Sequence, residues 1–177
     1  MTRVEIACAC GHTVLEVVGE PILVSECLCD SCRAAASRFA ALPRGRDILT
    51  PYGATPCAEV RKDRVRVVPG GEALRELRLR PDAATRRVVA TCCDTPVFVE
   101  LGGAHWVGLY LHLWPAAARP TPTLRTMVGD RADRSGLPDD LPNLNRHTPS
   151  FYLRLFAAWV AMGFRNPPIR VAGARGA

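Results

Sequence analysis

The sequence predicts a mainly β fold of antiparallel sheets, with one helix appended near the C-terminus. Two observations carry that prediction. Roughly eight short runs of alternating or β-branched residues are separated by Gly and Pro turn signals. One later stretch instead carries apolar residues at helical spacing. A third observation says what the strands are arranged around: seven of the eight cysteines fall into three clusters, Cys8-Cys10, Cys27-Cys29-Cys32 and Cys92-Cys93.

Length and composition narrow the class. At 177 residues, 48% hydrophobic and 23% charged, the chain can bury a core and does not have the make-up of a disordered tail. The formal net charge of +6 comes from arginine, with Lys62 the one lysine. The arginines are scattered and not interleaved with aromatics, which speaks for a solvated basic surface and against nucleic acid as a partner. The N-terminus lacks the basic start and long apolar run of a signal peptide. The longest apolar stretch, 106–114, contains His112 and stops at Pro115, too short for a bilayer. No membrane and a cytoplasmic location are therefore expected. In that compartment clustered cysteines speak for metal or catalysis rather than disulfides, and CxC and vicinal pairs make strained disulfides.

Taken in order, residues 2–8 alternate as a half-buried strand and deliver Cys8 and Cys10 to a turn at Gly11; residues 12–18 return as the second strand of a hairpin. Residues 22–26 form a third strand leading into Cys27-Leu28-Cys29-Asp30-Ser31-Cys32-Arg33. A short helix is expected over 34–41, and residues 43–57, with Pro43, Gly45, Pro51, Gly53 and Pro56, read as loop. Strands follow at 64–68, 74–80, 86–91, 97–101 and 106–113, with a turn at 69–71. Residues 115–148 are Pro-, Asp-, Arg- and Asn-rich connection. Thr148 and Pro149 then cap and open a helix to residue 162, apolar nearly all round and so expected to be buried. The organisation expected is a zinc-binding β domain, 1–114, and an extension, 115–177, whose helix packs on it.

The cysteines carry the chemistry. Four thiolates in a tetrahedron close a structural zinc site, whereas three leave a position for water or a substrate thiol, as in a catalytic site. The CxCxxC run offers three thiolates from one loop, so one or two zinc ions are expected. Arg33 beside the last sulfur offsets the charge of such a site or holds a substrate carboxylate; a surface salt bridge is an equal alternative. Cys57 reads first as a structural thiol and second as a ligand or reactive group. His105 and His112 read as core histidines.

Cys8-x-Cys10-Gly11, then Cys27-x-Cys29-x-x-Cys32-Arg33, then Cys93-x-Thr95-Pro96 resembles the family of glutathione-dependent formaldehyde-activating enzymes and the CENP-V domain, over about residues 3–101. The resemblance implies an Mss4-like β-tent, a structural zinc on the first CxC and the last cysteine motif, and a catalytic zinc on Cys27, Cys29 and Cys32. The chemistry it implies is that of a carbon–sulfur lyase acting on a thiol–aldehyde adduct. The family's last motif, CxxCGTP, here reads Ala90-Thr91-Cys92-Cys93-Asp94-Thr95-Pro96.

The extra thiol leaves arrangements open. In an extended segment neighbouring side chains point to opposite sides, so Cys93 can join Cys8 and Cys10 while Cys92 faces away and closes the Cys27-Cys29-Cys32 set. Alternatively Cys92 bends back to the first zinc, or His12 or Asp94 supplies the missing ligand. Two functions follow: a zinc enzyme handling a small thiol or thiol–aldehyde adduct, or a non-catalytic zinc-stabilised module that binds protein or nucleic acid.

Overall fold

The computed structural model describes residues 2–68 and 70–171. Its strands are β1 (Arg3–Ala7), β2 (Val14–Val18), β3 (Leu23–Cys27), β4 (Thr55–Arg61), β5 (Val65–Val67), β6 (Leu74–Leu77), β7 (Thr85–Ala90), β8 (Thr95–Leu101), β9 (Trp106–Tyr110) and β10 (Leu124–Thr126). Two α-helices, α1 (Asp30–Ala40) and α2 (Pro149–Ala161), join them. The protein is thus mainly β. A three-stranded sheet, β1-β2-β5, lies with a seven-stranded sheet in the order β10-β3-β4-β9-β8-β7-β6. Every pairing is antiparallel except β10 with β3, so the larger sheet is mixed rather than purely antiparallel.

Period-two alternation sorts the side chains of the large sheet into two layers. Ala58, Val60, Val88, Ala90, Val107 and Leu109 join Ile6, Leu15 and Val17 of the small sheet in the main core. Cys57, Val89 and Tyr110 point the other way and pack under Ala35, Ala36 and Phe39 of α1. The order of layers is therefore small sheet, large sheet, helix. Burial of these side chains is the main stabilising term, at about 25 cal/mol per Å² of apolar surface.

Several expectations change. Residues 43–57 are not all loop: β4 begins at Thr55 and lies between β3 and β9 in the sheet. Pro56 hid it, yet proline is tolerated at a strand's start. The first helix starts at Asp30 rather than Ala34, because Cys29 caps it. Strand 106–113 ends at Tyr110 and turns through a 3-10 segment, Leu111–Leu113. Within the expected connection 115–148, β10 pairs Thr126 with Cys27. The turn foreseen at 69–71 includes residue 69, outside the described residues; Gly70 beside it has φ +79°.

The C-terminal helix is where expected but is not buried. Only Phe151 and Leu155 of α2 are buried, against Leu23 and the flanking Ile22 and Trp106. Tyr152, Leu153, Phe156 and Val160 are exposed. An all-round apolar helix needs neighbours on every side to be core, and this one has them on one stripe. Among the described residues, no helix is long and apolar enough to cross a membrane.

Candidate metal centre

Two turns build the first cysteine cluster. The β1–β2 turn presents Cys8 and Cys10: the Cys8 N–H donates to the Thr13 carbonyl at 2.9 Å, and the Gly11 N–H donates to the Cys8 carbonyl at 2.9 Å. Gly11 sits at φ +76°, where a side chain would be strained. The β7–β8 hairpin, closed by the Ala90–Thr95 pair, presents Cys92 and Cys93 from its loop. Because that loop is a tight turn rather than an extended segment, adjacent side chains need not point apart, and both sulfurs face the first turn. The cluster joins the small sheet to the large one.

The Sγ atoms of Cys8 and Cys10 are 3.6 Å apart, Cys8 and Cys92 3.7 Å, Cys10 and Cys92 3.4 Å, and Cys92 and Cys93 3.8 Å. A tetrahedron on metal–sulfur bonds of about 2.3 Å has edges of about 3.8 Å. With the two remaining pairs within 4.8 Å, the four thiols could hold one ion between them, and all are free of disulfides. Hydrogen bonds reach these sulfurs unequally, and burial still pushes the Cys8 thiol up. The Thr13 N–H donates to Cys8 Sγ at 3.3 Å. Burial pushes Cys93 up, but Thr95 Oγ1, 3.0 Å away, and the Cys10 backbone N–H bring it down to about 6. Burial and the neighbouring thiols Cys10 and Cys8 push Cys92 up to about 12.

This placement decides between the arrangements of Cys92. It does not close the Cys27-Cys29-Cys32 set; it bends back to the first cluster. His12 and Asp94 are not the missing ligands. His12 Nε2 meets Glu72 at 3.0 Å on the surface, and buried Asp94 accepts from the Arg44 backbone N–H at 3.1 Å. Asp94 also occupies a left-handed turn position, φ +56°, where the resembled motif has glycine; aspartate is among the side chains that tolerate it.

The second cluster is Cys27, Cys29 and Cys32, with sulfurs within 4.8 Å of one another. Cys27 ends β3, Cys29 is the N-cap of α1, and Cys32 stands in the helix's first turn, its N–H donating to Cys29 Sγ at 3.3 Å. A helix N-terminus favours the thiolate over the thiol. Hydrogen bonds from the Cys27 and Cys32 thiols pull Cys29 far down, and the same sharing pushes Cys27 and Cys32 up. The two clusters can each hold a metal ion.

Arg33 forms a salt bridge with Asp30 and reaches the Asp130 carbonyl at 3.4 Å, the ion pair foreseen as one of its alternatives. The cation beneath the cluster is Arg87, only 2% exposed, which donates to Ser31 Oγ at 2.7 Å and to the Ser31 carbonyl at 3.1 Å. Its charge helps lower Cys29. Cys57 is buried beside Val89 and Tyr110, and burial pushes its thiol well up. His105 is a satisfied core histidine, its Nε2 donating to the Leu155 carbonyl at 2.8 Å.

A cleft of about 560 Å³ lies alongside, with Met127, Asp130, Arg134, Asn145, Arg146 and His147 on its walls. It adjoins the three-thiol set through two contacts: the Asp30 N–H donates to Asp130 Oδ2 at 3.3 Å, and His147 Nδ1 lies 2.9 Å from Oγ1 of Thr126, the register partner of Cys27. Burial lowers the His147 pKa, partly opposed by the charge of Cys29. Arg87 and His147 were missed in the sequence. The one visible signal for Arg87 was an arginine in a strand of otherwise apolar inward positions; for His147, a histidine just before a helix cap.

Sheets tied by one cluster of four thiols, with three more at a helix N-terminus, define a mainly β protein with two candidate metal centres. The chain belongs to the family described as Family of unknown function (DUF6151), whose model matches residues 1–131 and so takes in every clustered cysteine. A crystal structure of a Rhodobacter sphaeroides protein, a structural-genomics target, is similar at 15% identity, with 79% of this chain and 98% of that chain covered and a TM-score of 0.44. No curated protein matches.

Proposed function

We propose that the chain is a cytoplasmic zinc protein of the glutathione-dependent formaldehyde-activating and CENP-V type, on an Mss4-like β-tent spanning residues 1–114 with a 115–177 extension. In this reading Cys8, Cys10, Cys92 and Cys93 hold a structural ion, and Cys27, Cys29 and Cys32 hold a working one. The reaction is that of a carbon–sulfur lyase on a thiol–aldehyde adduct. The observation that carries it is the position of Cys92: by completing the first set it leaves the second with three thiols, beside a cleft. Thiolate-rich tetrahedral sites suit soft ions, zinc among them, and a zinc held by Cys27, Cys29 and Cys32 would supply a Lewis-acid position for a substrate sulfur.

The chain's own residues account for the rest. Cys29 is held as thiolate chiefly by the Cys27 and Cys32 thiols, with the Cys32 N–H at the α1 N-terminus and the Arg87 charge beneath adding to them. Arg134 and Arg146 on the cleft walls attract a carboxylate carried by the thiol. His147, kept neutral by burial, takes the hydroxyl proton of the adduct as the carbon–sulfur bond breaks. The aldehyde then leaves with its new C=O bond and the sulfur leaves as thiolate.

The test is turnover of S-hydroxymethyl adducts of small thiols, followed by formaldehyde release, with metal content measured on the same samples. His147→Asn is expected to lose on the order of 100-fold in turnover with metal content unchanged, and Cys32→Ser to lose turnover together with one metal. Wild-type protein holding two ions but idle on every adduct, or Cys32→Ser with full activity, overturns the reading.

A further inference from the structure

The outer side of α2 carries an apolar stripe that is exposed to solvent. Phe151, Leu155 and Met162 form the inner side and are buried. Opposite them, Leu153, Phe156, Ala157, Val160 and Ala161 recur at i, i+3, i+4, i+7 and i+8, and Phe164 continues the line. That spacing is the seam of a helix that packs on another helix. Trp159, which stacks on His105 at 5.6 Å and so borders the stripe, meets Phe164 edge to face at 5.2 Å past the helix end.

We infer that this face is where a second copy of the chain docks, α2 against α2 across a two-fold axis. Size supports it. Exposures of 58% for Tyr152, 66% for Leu153, 53% for Phe156, 36% for Trp159, 46% for Val160 and 57% for Phe164 leave about 600 Å² of apolar surface, taking whole aromatic side chains at roughly 150–250 Å². A standard interface takes about 800 Å² from each partner, which rim residues such as Arg154 and Pro149 complete. The patch thus stands at the upper end of the roughly 300–600 Å² that the largest apolar patch of a monomer covers, a size often functional.

Charge separates a second copy from other occupants. Arg154 is the one charged residue of α2, and Arg61 and Arg165 at its C-terminal end are turned onto the Ala161 and Met162 carbonyls, so an acidic or basic peptide has little to pair with along the stripe. A helix lying on a lipid surface carries a strongly charged face opposite its apolar one; here the face opposite is in the protein core. An identical apolar helix needs no charge complement, and a self-complementary patch is what a two-fold dimer requires. Tyr152 also lines the cleft beside Cys27-Cys29-Cys32, so the interface would reach that cleft's rim.

Sedimentation velocity of the full, metal-loaded chain tests this independently of any catalysis. The expected mass is 38.4 kDa, twice the 19.2 kDa of one chain. Val160→Asp and Leu153→Asp sit on solvent-exposed positions and are expected to keep the wild-type circular dichroism and metal content while falling to 19.2 kDa. A wild-type protein that stays monomeric up to about 100 µM overturns the inference, and so does a dimer that survives both substitutions. A monomer that sediments with phosphatidylcholine–phosphatidylglycerol vesicles overturns it in favour of a lipid surface.

Discussion

Replacing Cys92 by alanine removes one corner of the four-thiol set and leaves the three-thiol set intact. Its sulfur lies 3.4–3.8 Å from those of Cys10, Cys8 and Cys93, so no other thiol of that cluster can take its place without moving a turn. Structural zinc sites carry about 10–16 kcal/mol of apparent binding free energy, so one of four thiolates accounts for about 3–4 kcal/mol. That is a loss of roughly 100- to 1000-fold in affinity. Because this cluster ties the small sheet to the hairpin of the large one, the loss also appears as stability. At about 2–4 °C per kcal/mol for a domain of this size, Tm should fall by about 10 °C. The assay is a chelator series with metal analysis at each step, paired with calorimetry. The tightly held ion should become the easily removed one, and the ion at Cys27-Cys29-Cys32 should exchange as in wild type. If Cys92→Ala keeps both ions with wild-type chelator resistance, Cys92 is not a ligand of the first cluster and the division into closed and open sets is wrong.

Three further predictions concern the scaffold. Burial holds the His112 imidazole down to about 4, so below pH 6.5 the unfolded chain binds the extra proton and stability falls as pH drops from about 6.5 towards 4. The cost by pH 5 is about 2 kcal/mol, and denaturation midpoints at pH 7 and 5 should show that slope reduced in His112→Phe. Arg125 is 1% exposed and forms ion pairs with Glu26 at 2.8 Å and Asp140 at 2.8 Å, so Arg125→Leu leaves the buried Glu26 carboxylate without its cation, with the Tyr52 hydroxyl at 2.7 Å left to it, and should cost about 3 kcal/mol in urea unfolding. Gly70 has φ +79°, and a Cβ there would stand 2.2 Å from the His12 carbonyl oxygen. Gly70→Ala should therefore lower stability by about 1–3 kcal/mol; an unchanged unfolding midpoint would contradict the turn described.

Much of the fold was legible because local signals agreed with the tertiary answer. The β1–β2 hairpin, its Gly11 turn and the Thr148 cap of α2 each have a residue whose chemistry leaves few choices. The misses share a cause, which is that they depend on neighbours far away in sequence. Pro56 argues locally for a loop, but β3 and β9 flank the segment and hold it as strand. Leu124–Thr126 has no strand pattern worth naming until β3 offers it an edge. The cysteines announced the site, whereas the fate of Cys92 did not follow from spacing. The expectation that it faces away assumed an extended backbone, and the residues sit instead in the loop of a hairpin. For α2 the same apolar composition is compatible with core and with an unpartnered face, and only the packing on Leu23 and Trp106 tells which stripe is which.

The central claim is one closed and one open metal site in the same chain, and zinc-edge X-ray absorption of the metal-loaded protein tests it most directly. Four thiols in one cluster and three in the other predict an average of about 3.5 sulfurs at about 2.3 Å and half a light atom at about 2.0–2.1 Å per zinc. An all-sulfur shell of four around every ion, or a single ion per chain, would contradict it.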